Sequence, residues 1–87
     1  MDLDAYWVWV REQNDLRSRL TEVERYDPPI AGRFADGREQ PHPWIRVLGA
    51  GLDPATEERY YLVQVSGTGA SYLKASELDI YPNQSPG

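Results

Sequence analysis

The chain contains no cysteine. That excludes a disulfide framework, a thiolate metal site and a cysteine nucleophile. It contains one histidine, His42, set between Pro41 and Pro43 in an expected loop. A lone imidazole has no second imidazole to share a metal with, and no aligned hydroxyl and carboxylate mark it as a catalytic base. Positive charge is scarce: 9 Lys and Arg stand against 14 Asp and Glu, a net charge of −5. That balance works against a general affinity for nucleic-acid backbone or anionic membrane. No apolar run approaches the roughly 18 residues that a membrane helix needs. The start, Met1-Asp2-Leu3-Asp4, reads as neither a secretory signal nor a transit peptide, so the expected setting is the cytoplasm. All but one of the basic residues are arginine, a usage common in GC-rich genomes, and the expected source is bacterial or phage.

What is present is one small domain of 87 residues, 40% hydrophobic and 26% charged, ordinary values for a globular chain. A domain of this size buries only about 60% of its unfolded surface. Three Trp, six Tyr and one Phe compensate, because large rings bury much area per residue. With no disulfide, association with a partner or a second copy is the expected further support.

No proline or glycine precedes Pro28. Over that stretch Tyr6, Trp9, Gln13, Leu16, Leu20 and Val23 recur at alternating spacings of three and four, the seam of an amphipathic helix. Arg11, Glu12, Asp15, Arg17, Arg19, Glu22 and Glu24 form the solvated face between them. Asp27-Pro28-Pro29 ends the pattern, since proline disfavours helix in the residue before it. A helix is therefore expected within residues 1–27. Tyr6-Trp7-Val8-Trp9-Val10 also has strand-like composition, but the seam runs through it in register and favours one continuous helix. Trp7, Val8 and Val10 lie off the seam and widen the apolar face there, which implies two contacts, one with the chain's own sheet and one with a partner.

From residue 28 the pattern changes to short strands separated by turns: Ile30–Phe34, Trp44–Leu48, Tyr60–Val65, Ser71–Lys74 and Asp79–Tyr81. Asp36-Gly37 and Ser66-Gly67-Thr68-Gly69 read as tight turns, and Ala75-Ser76-Glu77-Leu78 as a helical turn. Residues 82–87 read as a frayed tail. The fold class is α+β, mainly β. The succession WIRV, GAGLDPATEE, YYLVQV, SGTGA, SYLK, ASEL, DIY resembles the SH3-like small-barrel superfamily, which includes SH3 and Tudor modules. The likeness spans about residues 30–81. It implies a five-stranded barrel over residues 28–81, with a 3-10 turn leading from the hairpin into the last strand.

No constellation points to catalysis. Asp53, Glu57 and Glu58 share one expected loop and read as solvated carboxylates, without the alternating ligands and glycine of a calcium loop. Gly67-Thr68-Gly69 lacks the lysine and following helix of a phosphate-binding loop. No nucleophile, base and orienting group form a set, so no enzyme, no cofactor and no metal site is expected. The first expectation is a protein-interaction module, an adaptor or regulatory subunit. Its surface would be an aromatic barrel face (Trp44, Tyr60, Tyr72) and the helix (Trp7, Trp9, Leu16, Leu20), with self-association through the helix as a further expectation. A second reading is a nucleic-acid-binding regulator using Arg33, Arg46 and Lys74 beside barrel aromatics; it is disfavoured because residues 28–87 hold more acidic than basic side chains. A third is a small acidic inhibitor that mimics nucleic acid.

Overall fold

The computed structural model describes residues 3–38, 44–64 and 69–84. One helix, α1 (Leu3–Arg19), leads into five strands: β1 (Thr21–Phe34), β2 (Ile45–Asp53), β3 (Glu58–Gln64), β4 (Ala70–Lys74) and β5 (Leu78–Tyr81). A single 3-10 turn, Ala75–Glu77, joins β4 to β5. The strands form one antiparallel sheet in the order β4-β3-β2-β1-β5, curled into a half-barrel. The α+β, mainly β class is as the residues implied. The expected helical turn, the Asp36-Gly37 turn and the last three strands stand where the punctuation placed them. Gly37, with φ of 75°, donates to the Phe34 carbonyl at 3.2 Å. Tyr6–Val10 is helix.

The helix is shorter than the seam implied. Its last bond runs from the Leu20 N–H to the Leu16 carbonyl, and residues 21–27 belong to β1. Two causes combine. Thr21, Val23 and Tyr26 suit a strand, and β2 offers a partner for their backbone groups, with Thr21 against Leu52 and Glu24 against Ala50. Glu22 takes a left-handed φ of 51° at the bulge between these pairs, which turns the chain out of the helix. Val23, the last seam residue, is 69% exposed. Asp27-Pro28-Pro29 therefore interrupts a strand and does not end a helix: the ladder is irregular between Arg25 and Ile30, where prolines supply no N–H. β2 likewise runs through Gly49-Ala50-Gly51. Pro82–Gln84, expected in the frayed tail, turn back with the Gln84 N–H on the Tyr81 carbonyl at 3.0 Å.

The sheet has two apolar faces. On the inner one Ile45, Val47, Val63 and Leu78 are buried together, flanked by Tyr26, Ile30, Phe34, Tyr61, Leu73 and Ile80. The other face carries Gly51, Asp53, Tyr60 and Tyr72 and takes the C-terminal half of α1. Leu16 is buried, Leu20 lies against Gly51, and the Arg19 Nε donates to the Asp53 carboxylate at 3.0 Å.

Gln13 closes an open edge. β4 is an outer strand, and outer strands present unpaired backbone groups. The Gln13 amide accepts from the Tyr72 N–H at 2.6 Å and donates to the Tyr72 carbonyl at 3.1 Å, as a neighbouring strand would. The next outward N–H, that of Lys74, donates to the Glu77 carboxylate at 3.1 Å. Replacing Gln13 by alanine removes two hydrogen bonds at a half-buried site and is expected to cost about 1–3 kcal/mol. Urea unfolding measures the loss, and faster amide exchange at Tyr72 locates it.

Candidate functional site

The N-terminal half of α1 overhangs the sheet that holds its C-terminal half. The helix is 17 residues long, with Asp4 in its first turn and Arg17 and Arg19 in its last, charges that complement the helix dipole. A helix this short is marginal alone; Gln13, Leu16, Arg19 and Leu20 anchor it. Beyond that anchor the side chains stand in solvent. Leu3 is 72%, Trp7 59%, Val8 53%, Trp9 46% and Tyr6 42% exposed. Tyr6 packs edge-on against Trp7 with ring centres 5.5 Å apart and lies 6.3 Å from Trp9. Leu3, Tyr6, Trp7 and Trp9 occupy neighbouring positions around two turns of helix and form an apolar patch of the kind that marks an interaction surface, while Val8 stands exposed on the other side.

A separate apolar groove lies where the chain leaves α1 for β1. Its volume is about 450 Å³, and Leu20, Val23, Tyr26, Leu48, Leu62 and Tyr72 contribute to its walls. A smaller hollow under Trp9, Gln13 and Arg17 adjoins Leu62 and Tyr72. Tyr72 thus borders both.

The seven residues expected to bind a partner divide into three groups. Trp7 and Trp9 are exposed, and Tyr72 is half-buried beside the groove. Leu16 and Tyr60 are buried within the chain, and Leu20 is half-buried against Gly51, so these three hold α1 to the sheet. Trp44 lies apart from both groups, just before β2. Its ring meets Tyr81 edge-on at 5.3 Å, with the Arg33 guanidinium 5.6 Å away. The expected aromatic barrel face of Trp44, Tyr60 and Tyr72 is therefore not one surface. The tyrosines are on β3 and β4 beside the helix, whereas Trp44 is at the end where β1 meets β5.

Of the three basic residues, Arg33 on β1 and Arg46 on β2 share one face of neighbouring strands, since Arg46 pairs with Ala31, whereas Lys74 is on β4 at the sheet edge, 3.6 Å from Glu58. Two of the expected loop carboxylates are in structural use. Glu58 accepts from the Tyr60 hydroxyl at 3.3 Å. Asp53 is 1% exposed, which corrects its reading as a solvated loop acid. It ends β2, and its carboxylate accepts from the Ala55 N–H at 3.0 Å, the bond that shapes an Asx turn. Burial pushes the Asp53 carboxyl up, but the Ala55 N–H, the Arg19 guanidinium and the Thr56 hydroxyl together hold it below the usual carboxylate value. Burial, reinforced by Glu58, raises the Tyr60 phenol, and burial with Glu24 raises Tyr26; both stay protonated at neutral pH.

Among the described residues no three His, Asp or Glu side chains gather as metal ligands. His42 and the Gly67-Thr68 turn lie outside the described residues. The role of Gln13 was not legible beforehand. Its one signal is a polar side chain at an apolar seam position. Comparison with protein-family models, with characterised proteins and with solved structures finds no match for this chain.

Proposed function

We propose that the chain is a small, non-enzymatic protein-interaction module of the bacterial or phage-infected cytoplasm, an adaptor or regulatory subunit on an SH3-like barrel. The order of elements supports the barrel assignment: a hairpin from β3 to β4, a 3-10 turn at Ala75–Glu77, then a last strand that pairs with β1. The observation that carries the functional reading is the exposed apolar half of α1, Leu3 with Tyr6 to Trp9. Docking there works by desolvating aromatic anchors while the surrounding charges, such as Arg11 and Glu12, stay at the rim.

A photo-crosslinking amino acid in place of Val8 tests this reading in cells of the source organism, with the same group at Ser76 as control. A discrete adduct from position 8, absent from position 76 and lost with Trp7→Glu, is the expected result. A truncation Trp7→Ala is expected to weaken the captured complex roughly 30-fold, the effect of one aromatic hot spot of about 2 kcal/mol. No adduct from position 8 overturns the reading.

A further inference from the structure

The exposed half of α1 carries a second stripe, distinct from the seam that packs on the sheet. Leu3, Trp7, Val10 and Asn14 follow at spacings of four, three and four, the period of a helix–helix contact. Trp7, Val10, Arg11 and Asn14 also enclose a shallow hollow of about 320 Å³ on the helix surface. Residues at i, i+3, i+4 and i+7 are the four that frame a hole for one side chain of a facing helix. The stripe thus bears a hole and, in Trp7 at 59% exposure, a large knob beside it.

We propose that the occupant of this surface is a second copy of the same chain, with the two α1 helices packed antiparallel about a two-fold axis. A two-fold contact uses one patch twice, so the patch must be complementary to itself. Setting Trp7 of one copy across from Val10 of the other brings each Trp7 over the hollow between Trp7, Val10, Arg11 and Asn14 of its mate. The same register sets Leu3 across from Asn14. On the flank of the stripe it sets Asp4 across from Arg11, twice by symmetry. In a parallel arrangement Asp4 and Arg11 of the two copies fall on opposite flanks of the contact and form no ion pair. Of the exposed side chains, Leu3 and Trp7 on the stripe and Tyr6 on its flank face this contact, and together they present on the order of 350–400 Å² per copy. Pairing them covers roughly 700–800 Å² in total, the size of a weak, reversible association. This inference rests on reading the helix as an interaction surface and names its partner.

Sedimentation equilibrium of the full chain from about 1 µM to 1 mM tests it, with far-UV circular dichroism to verify the helix in each variant. The expected wild-type result is a monomer–dimer equilibrium. Trp7→Glu is expected to weaken it at least 100-fold. Asp4→Arg and Arg11→Asp are each expected to weaken it roughly tenfold by placing like charges together. The double variant is expected to recover, and so is an equimolar mixture of the two single variants. A wild type that stays monomeric at 1 mM overturns the proposal, as do single variants that associate normally or a double variant that does not recover. A monomer that still yields the position-8 adduct with a different protein overturns self-pairing alone; a monomer with no adduct overturns both readings.

Discussion

Gly49→Ala is expected to lower the melting temperature by about 15–20 °C, more than a substitution at any other described glycine. A Cβ at residue 49 would collide with the carbonyl oxygen of Glu24 on β1. That oxygen belongs to backbone held in register by the pairs Glu24–Ala50 and Arg25–Gly49, so it cannot rotate aside as a side chain would. The strands must separate beside the bulge that follows Val47. Overpacking against backbone costs about 3 kcal/mol, a large part of the roughly 5 kcal/mol a small domain possesses. Two controls separate this cause from a general loss of glycine. At Gly51 the nearest obstacle is the Leu20 side chain, 3.2 Å away, which can shift, so Gly51→Ala should cost about 1 kcal/mol. At Gly37 there is open space but a φ of 75°, so Gly37→Ala pays only the left-handed penalty of about 1 kcal/mol. Thermal unfolding that ranks the three together would show that β1 and β2 do not cross this closely.

Asp53→Asn is expected to lower the melting temperature at pH 7 by about 5–10 °C, with the gap closing as the pH falls toward 3. The carboxylate is 1% exposed and faces Arg19 at 3.0 Å. An amide still accepts from the Ala55 N–H, so the turn survives, but it sets neutral N–H donors against the guanidinium. The sign of the pH effect follows from the direction of the shift. The folded carboxyl lies below its ordinary value, so the unfolded chain takes up a proton first, at about pH 3.9. Asp53 therefore contributes its full stabilisation above about pH 5 and loses it as the pH falls through the folded value. Arg19→Ala should do less than Asp53→Asn. The Arg19 side chain is 45% exposed and solvent screens its charge, while Ala55 and Thr56 still hold the carboxylate. Melting curves of the three proteins between pH 3 and 7 decide it, and a gap that widens in acid contradicts this role for Asp53.

These residues differ in how far they could be read in advance. The strands of the C-terminal half were legible because each is short, rich in aromatic and β-branched residues, and bounded by turn formers. The helical identity of Tyr6–Val10 was legible because the seam continued in register through it. The end of that helix was not. Leu20 and Val23 keep the helical spacing, and only pairing with β2 turns residues 21–27 into strand. The aromatic barrel face failed for a related reason. Alternation along a strand places a residue on one face or the other, but whether Trp44 meets Tyr60 and Tyr72 depends on the curl of the sheet and on where α1 lies.

By itself the sequence determined the absence of thiol chemistry, the acidic charge, the helix-then-strands order and the surplus of aromatics at the N-terminus, because these follow from composition and local periodicity. The tertiary structure alone decided which of those aromatics stay in solvent. It buried Leu16 and Tyr60 against each other's elements, set Gln13 on the open edge of β4, left Leu3, Tyr6, Trp7 and Val8 exposed, and half covered Trp9 beside Leu62 and Tyr72. The physical reason is one of lengths. The helix-bearing face accommodates only the C-terminal half of a 17-residue helix, and nothing in the helical period announces where the sheet beneath it stops.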